Sequence, residues 1–192
     1  MVGDSFIAAR ARLPRLRVGA IAALALAVGF ITWLVLRPGT DGNPASSTAS
    51  TVAVPEIVAP ARLHALAATL GHPLYWAGTH PGMRYELTQA ASGNIFIRYL
   101  PAGVKVGDRR PGFLTIGTYP ERRAFARTRA AAKRPGAVTM NLAGAGIAVY
   151  DGVRPTSVYF AYPRADVQVE VYDPNARIAT RLVLGGQVVP IK

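Results

Sequence analysis

The three histidines of this chain are the residues whose type and spacing could first support metal or acid–base chemistry. His64, His72 and His80 follow one another at intervals of eight residues. His64 falls in a predicted helix and His72 beyond its end, so the two do not share a helical face as an i, i+4 zinc pair does. No acidic residue occurs between Glu56 and Glu86 to complete a ligand set. His72 and His80 each precede a proline, which is typical of turns, and we expect their ring nitrogens to bond the backbone.

Tyr75 and Trp76 lie close to these histidines, in the stretch GHPLYWAGTHPGMRYEL of residues 71–87. An aromatic pair in a short strand next to a helix end is usually part of a core. Stacking on a ligand is the alternative. We expect this stretch to be the entrance to a fold rather than a site.

Motifs for nucleophilic and nucleotide chemistry are missing from the sequence. There is no G-x-S-x-G, and Ser92 and Ser157 are expected in a turn and at a strand start without His and Asp partners. The GAG of residues 144–146 lacks the third glycine of a dinucleotide-binding loop. The absence of cysteine excludes disulfides and thiolate chemistry. We therefore predict no catalytic residue, no cofactor and no metal.

Acidic residues are few, and most of them fall at predicted turns or helix caps, where a carboxylate satisfies backbone N–H groups. This placement does not suggest the paired carboxylates of a glycosidase cleft. The acids after residue 55 are Glu56, Glu86, Asp108, Glu121, Asp151, Asp166, Glu170 and Asp173.

A basic segment between Arg109 and Arg134 is the feature that indicates binding. It carries 8 Lys and Arg residues against the single acid Glu121. Arg122, Arg129 and Lys133 would fall at i, i+7 and i+11 of a predicted helix, as one exposed stripe. The alternative is a solvated helix face, because 19 of the 22 basic residues are arginines and the whole chain is Arg-rich. The candidate contacts to an anionic partner are Arg109, Arg110, Arg122, Arg123, Arg129, Lys133 and Arg134.

One membrane span is predicted at residues 18–36. These 19 residues carry no charge, and Thr32 is their single polar side chain. As a helix they would reach roughly 28 Å, about the thickness of a bilayer's hydrocarbon core. Four arginines precede the span and one, Arg37, follows it before Arg62. Because arginine is retained on the cytoplasmic side, residues 1–17 should be a cytoplasmic basic tail and the rest should lie outside. A cleaved signal peptide is the alternative, which the length and bulky end of the run disfavour.

Residues 37–55 have the Pro, Gly, Ser, Thr and Ala content of a flexible linker, and residues 56–192 have the pattern of a globular domain. Leu63, Leu66 and Leu70 share one face of a helix that starts near Pro60 and stops at Gly71. MRYELTQ and NIFIRYL alternate around the turn AASGN and predict a hairpin.

Further strands are predicted at GFLTIGTYP, AVTMNL, GIAVYD, TSVYFAYP and DVQVEVYD. Two further helices are predicted, one from Pro120 and one after Asp173, which is taken as its N-cap, with Ile178 and Leu182 as its apolar stripe. QVVPI is expected to close the sheet as an edge strand. The fold class is α+β: a transmembrane helix, then a mostly antiparallel sheet with about three helices covering one or both faces.

The segments FLTIGTYPERRAFARTRA and VQVEVYDPNARIATRLVL echo each other, each being a strand, a proline and an Arg-bearing helix. Two preceding strands accompany each segment. An old duplication and the ordinary punctuation of short αβ units both explain the echo, and we favour the second explanation.

The Arg-flanked span, the linker, GHPLYWAG and VYFAYPRADVQVEVYDP give the chain a resemblance to small single-pass extracytoplasmic proteins of GC-rich, actinobacterial-type bacteria, which have no assigned activity. A more distant architectural similarity is to Mog1/PsbP-like domains. The resemblance implies a plasma-membrane protein and transfers no catalytic or binding residue.

The function that the sequence favours is binding, through an extracytoplasmic domain, to an anionic lipid, a wall polymer or an acidic protein. The predicted topology makes nucleic acid an unexpected partner. A cell-wall enzyme whose site is assembled from scattered residues is the alternative, and a subunit of a larger membrane assembly is a third possibility.

The predicted topology can be measured with C-terminal reporter fusions. We expect alkaline phosphatase fused after Lys192 to be active and a cytoplasmic fluorescent reporter at the same position to be dark, because the arginines before residue 18 hold the N-terminus inside. The reverse pattern would place the domain in the cytoplasm and make nucleic acid a partner to consider.

Overall fold

The computed structural model describes residues 54–192. The predicted basic tail and span, and all but the last two residues of the predicted linker, lie outside the described residues. Among residues 54–192, no helix has both the length and the apolar character needed to cross a bilayer.

The described part of the chain is an α+β domain built on a large antiparallel sheet, as the sequence predicts. Its three α-helices and ten strands are, in chain order, β1 (Glu56–Val58), α1 (Pro60–Thr69), β2 (Tyr75–Trp76), β3 (Met83–Gln89), β4 (Ile95–Pro101), β5 (Thr115–Pro120), α2 (Ala124–Ala131), β6 (Ala137–Asn141), β7 (Ile147–Asp151), β8 (Ser157–Ala161), β9 (Val167–Tyr172), α3 (Ala176–Leu184) and β10 (Val189–Pro190). Eight strands form one sheet in the order β1-β3-β4-β5-β9-β8-β7-β6, and β2 pairs with β10.

Alternation along β9 defines the two faces of the sheet. Val167, Val169 and Val171 point to one side, here called the core face, and are fully buried. Helix α1 packs on this face through Leu63 and Leu66, and α3 packs on it through its own buried residues Ala179, Leu182 and Val183. Each fully buried leucine or valine contributes roughly 1.5–3 kcal/mol, so this face supplies most of the hydrophobic stabilisation.

The aromatic pair in the stretch of residues 71–87 is part of this core, as predicted. Tyr75 and Trp76 are buried, and the ring of Tyr75 meets the edge of Phe160 at 5.6 Å between centroids. The hydroxyl of Tyr99 accepts a hydrogen bond from the Ala77 N–H at 2.7 Å. These contacts close the apolar layer beyond the end of α1.

The opposite side of the sheet, here called the polar face, carries α2. The helix turns the small residues Ala124, Thr128 and Ala131 toward the sheet, and all three are buried. Their size lets the helix backbone approach closely, and the side-chain amide of Gln168 donates to the Thr128 hydroxyl at 2.9 Å. The Thr128 hydroxyl in turn donates to the Ala124 carbonyl at 2.9 Å, so the polar atoms of the contact are satisfied.

The two helices that follow β5 and β9 lie on opposite faces of the sheet. A duplication relating β5 to β9, which are antiparallel neighbours, would need a two-fold axis perpendicular to the sheet and would leave both helices on one face. The strand order β3-β4-β5-β9-β8-β7 fits such an axis and the placement of the helices does not, so the preference for ordinary αβ punctuation stays a prediction.

Helix α2 begins four residues later than the predicted start at Pro120. The Glu121 N–H donates to the Asp166 carbonyl at 2.8 Å, and Arg123 has a left-handed backbone with φ of 64°. The hydrogen bond from Glu121 to the turn before β9 and the left-handed backbone of Arg123 are not compatible with a helix, so the helix begins at Ala124.

Helix α3 and the last strand also differ from the prediction. Asn175 is the N-cap, its side chain accepting from the Arg177 N–H, while Asp173 accepts from the Asn175 N–H one step earlier. Leu182 is buried but Ile178 is 38% exposed, because the buried face runs through Ala179 instead. The segment QVVPI pairs with β2 rather than with the large sheet.

We predict that stability falls steeply above pH 10 because buried tyrosines resist ionisation. Burial raises the pKa of Tyr75, and burial is also the largest cause that raises the pKa of Tyr99. An unfolded tyrosine ionises near pH ~10, so the contribution of each residue is constant below that pH. Above it, each tyrosine that stays protonated in the fold lowers stability by up to ~1.4 kcal/mol per pH unit. Urea unfolding followed by circular dichroism at several alkaline pH values measures the slope.

Tyr99→Phe is the informative variant for this titration. Below pH ~10 it should lower stability by about 1–3 kcal/mol, because the Ala77 N–H loses its acceptor. Above pH ~10, the free energy of unfolding of this variant should nevertheless fall less steeply with pH than that of the wild type. The difference should be about 1.4 kcal/mol per pH unit, which is the contribution of one tyrosine proton. Equal slopes would contradict the assignment.

Candidate anion-binding face

Three alternating residues of β9 organise the polar face. Gln168 bonds helix α2 through Thr128. Tyr172 donates from its hydroxyl to the Pro111 carbonyl at 2.5 Å, in the segment of residues 102–114 that we call the basic loop. Glu170 lies between them. Since alternate residues of a strand are about 6.6 Å apart, the basic loop and α2 are anchored roughly 13 Å apart on one face.

The basic loop is held by a buried ion pair. Glu86 on β3 is 1% exposed, and its carboxylate accepts from an Arg98 guanidinium nitrogen at 2.6 Å. The other oxygen accepts from the Gly107 N–H at 2.6 Å. Arg98 also donates to the carbonyls of Asp108 at 2.8 Å and Arg110 at 3.3 Å. One carboxylate and one guanidinium thus fix the backbone on both sides of Arg109.

The two arginines at the tip of the loop differ in their charge environment. Arg110 makes a forked contact with Asp108, with nitrogen–oxygen distances of 2.7 Å and 3.0 Å. Hydrogen bonds from Arg110 lower the pKa of Asp108 from 3.8 to about 2, so this carboxylate stays ionised and offsets part of the charge of Arg110. Arg109 is exposed and has no ion pair within the described chain. Arg109 is therefore the arginine of the loop whose charge no carboxylate of residues 54–192 offsets.

The basic residues around α2 are mostly exposed. Arg127 forms an ion pair with Glu121 at 3.2 Å, and Arg129 lies over the Phe125 ring at 5.9 Å. Arg134 is half-buried. Exposed residues of this group that have no ion pair in residues 54–192 are Arg122, Arg123, Arg129 and Lys133.

The predicted helical stripe of Arg122, Arg129 and Lys133 is not continuous. Arg129 lies within α2, whereas Arg122 precedes the left-handed residue that delays the helix and Lys133 lies in the turn beyond it. The three residues nonetheless belong to the segment that covers the polar face.

Glu170 forms a buried polar cluster that the sequence pattern did not predict. It lies in the middle of β9, not at a turn or cap, and is 8% exposed. Its carboxylate accepts hydrogen bonds from three hydroxyl groups, those of Ser157 at 2.7 Å, Tyr159 at 2.8 Å and Tyr119. Burial first, and the Glu170 charge second, raise the pKa of Tyr119 and Tyr159 far above the usual value. Both tyrosines therefore remain hydrogen-bond donors at neutral pH.

The position of Tyr119 depends on a glycine. A Cβ on Gly117 would lie 2.9 Å from the Tyr119 ring, so the absence of a side chain there lets the ring lie over its own strand and reach Glu170. The period-two pattern of β9 puts Glu170 opposite the valines and could have revealed its burial. Nothing local to the sequence identifies its three donors.

The polar cluster does not present an open catalytic pair. Both carboxylates of this face, Glu86 and Glu170, are nearly inaccessible and engaged in hydrogen bonds. Ser157, which was considered as a nucleophile, donates to Glu170 rather than to a histidine. A hydrolytic mechanism needs an accessible acid or base, and this arrangement is better suited to holding the face rigid.

The histidines bond the backbone, as predicted for His72 and His80. Ring nitrogens of His72 and His80 lie 3.1 Å from the carbonyls of Pro73 and Ala77, respectively. The ring of His64 lies 2.6 Å from the Lys192 carbonyl. Residues 54–192 contain no group of three or more His, Cys, Asp or Glu residues arranged to hold a metal ion.

We predict that Glu86→Gln loosens the basic loop. Both carboxylate oxygens accept hydrogen bonds, so the amide would set its NH₂ against a donor and leave Arg98 without its counter-charge. Breaking a buried pair costs roughly 3–5 kcal/mol. Hydrogen–deuterium exchange should rise across residues 102–114 and stay unchanged in α1. Asp108→Asn, which removes only the exposed pair with Arg110, is the matched control and should have a smaller effect. Unchanged protection of the loop in Glu86→Gln would show that the ion pair does not anchor it.

No family model, curated protein or solved structure matches this chain. The resemblance to single-pass extracytoplasmic proteins and the distant similarity to Mog1/PsbP-like domains therefore stay predictions.

Proposed function

We propose that residues 54–192 form a binding module for an anionic partner at the cell envelope, displayed outside the plasma membrane on the span of residues 18–36. One observation carries this proposal. The basic loop and the α2 segment are anchored on the same face of the sheet by alternate residues of one strand, through Tyr172 and Gln168. Residues that are distant in the chain thereby contribute to one basic face.

The charge balance supports an anionic partner. Residues 54–192 contain 17 Lys and Arg residues and 8 Asp and Glu residues. Glu86, Glu170 and Asp173 are buried, and Asp108, Glu121 and Asp151 pair with arginines. The exposed cations of the polar face consequently have few acidic neighbours to offset them, and the field above this face is positive.

The candidate partners differ in how they would use this face. Anionic lipid headgroups attract each nearby Lys or Arg by about 1 kcal/mol, and a wall polymer or an acidic protein surface offers similar repeated charge. Anchors roughly 13 Å apart favour an extended anion over a single small one. Under the predicted topology nucleic acid is not a partner.

The polar cluster is the feature that would favour the alternative, a wall-associated enzyme. Glu170 gathers Ser157, Tyr119 and Tyr159 from three strands, which is how a site of scattered residues assembles. Its low exposure and complete hydrogen bonding make binding the better-supported proposal.

The binding proposal is tested with the full chain in nanodiscs of zwitterionic lipid. We expect vesicles containing phosphatidylglycerol to bind, and vesicles of phosphatidylcholine alone to bind weakly, in surface plasmon resonance. Arg122→Gln/Arg129→Gln should weaken this binding by about thirtyfold, at about 1 kcal/mol for each charge. Raising the salt concentration to about 1 M should abolish it, because the screening length falls to about 3 Å.

Arg62→Gln/Lys192→Gln is the control for this measurement. It removes the same charge from α1 and from the C-terminal residue beside that helix, away from the polar face, and should leave vesicle binding nearly unchanged. Equal losses of binding in both double variants would show that the net charge of the domain, and not the polar face, determines binding. An affinity that does not change with salt concentration would contradict an electrostatic interface.

A further inference from the structure

A shallow groove lies on the core-face side of the sheet, away from the proposed anion-binding face. Its volume is about 670 Å³, which is within the range of small-molecule sites. Helix α3 forms one wall, and β7 with the turn after it forms the other. The groove is lined by Tyr150, Pro155, Ala176, Arg177, Thr180, Arg181, Leu184 and Gly185.

The floor of the groove is apolar and accessible. Leu184, at the end of α3, is 55% exposed, and Tyr150 of β7 is partly exposed beside it. Val138 on the edge strand β6 pairs with Tyr150 in register and is 38% exposed. An apolar strip therefore extends from the helix to the edge of the sheet.

The rim of the groove carries two cations without counter-ions. Arg177 and Arg181 are exposed, and neither side chain makes an ion pair or hydrogen bond within the described chain. The nearby carboxylates are engaged elsewhere: Asp151 accepts from the Val153 N–H and pairs with Arg154. Asp173 is buried and accepts from the Asn175 N–H.

Folding does not favour arginine at residue 177. Arg177 lies in the first turn of α3, which contains no acidic residue, and a positive charge there opposes the helix dipole. Arg181 is one turn further on, and like charges at i and i+4 repel. An anion bound between the two guanidinium groups would relieve both effects.

We propose that this groove binds a single-chain amphiphile with one anionic head group. The head lies between Arg177 and Arg181, whose positions about 5–6 Å apart on the helix suit a shared oxyanion. The aliphatic chain lies along Leu184 and Tyr150 toward Val138. A carboxylate and a phosphate monoester share this head-group chemistry, so the ligand is a fatty acid or an alkyl phosphate.

The full chain, held in nanodiscs of zwitterionic lipid, is photolabelled with a diazirine-bearing fatty acid and the labelled peptides are identified by mass spectrometry. We expect the label on the peptides that contain Tyr150 and Leu184. Arg177→Gln/Arg181→Gln should reduce this labelling at least about tenfold, as expected when charge-assisted bonds are removed. Arg122→Gln/Arg129→Gln, an equal change of charge on the polar face, should not reduce it.

Two further variants separate binding from folding. Arg177→Gln should raise the thermal midpoint while it lowers labelling, because the charge opposes the helix dipole. Leu184→Ser should lower labelling with both arginines in place. A lower midpoint for Arg177→Gln, or labelling that ignores Leu184→Ser, would count against the assignment.

Competition identifies the head group. Unlabelled laurate and dodecyl phosphate should both displace the probe, and the one effective at lower concentration indicates a fatty acid or an alkyl phosphate. Dodecyltrimethylammonium should not compete. Labelling spread evenly over the domain, or equal competition by this cationic amphiphile, would overturn the proposal.

Discussion

Strand β9 is covered on both faces, and its residues from Val167 to Val171 must find partners away from water. On the core face the valines need only apolar contact. On the polar face Gln168 and Glu170 need hydrogen-bonding partners, because an unsatisfied buried polar group costs about 1–3 kcal/mol. Their partners come from α2 and from the flanking strands, and the partly exposed Tyr172 adds a hydrogen bond to the basic loop. One row of polar side chains thus also decides where the basic segments lie.

The two buried carboxylates of the polar face are compensated in different ways. Glu86 is neutralised by Arg98, a cation that is itself tied to the basic loop. Glu170 is held by three hydroxyl groups, which donate hydrogen bonds without adding charge. Acids that are drawn inward for structural reasons leave the surface with an excess of arginine. The excess of positive charge outside the sheet follows in this sense from the use of Glu86 and Glu170 as buried hydrogen-bonding groups.

Local pattern predicted much of the sheet and less of its surroundings. The alternation of Val167, Val169 and Val171 and the hairpin of β3 and β4 were readable because period-two patterns report burial directly. The start of α2 was not readable, because a bond to the distant residue Asp166 delays it. Asp173 and Asn175 are both good caps, and the Asp173 carboxylate accepts from the Asn175 N–H, which leaves Asn175 to cap the helix.

The candidate sites, too, were predictable from the sequence only where they depend on local pattern. The basic residues were visible in the sequence, whereas their union on one face depends on the pairing of β5 with β9, which brings together strands about fifty residues apart. A compositional bias would place arginine without regard to its effect on folding. Three arginines of residues 54–192 occupy unfavourable positions: Arg123 and Arg164 have a left-handed backbone, which costs a long side chain roughly 1–2 kcal/mol, and Arg177 opposes a helix dipole. Arg123 and Arg177 lie on the two proposed binding surfaces, whereas Arg164 lies in the turn between β8 and β9. Backbone strain at arginine is therefore not confined to the binding surfaces. A bound anion is inferred instead from the charge of Arg177, which an anion would offset and backbone strain would not explain.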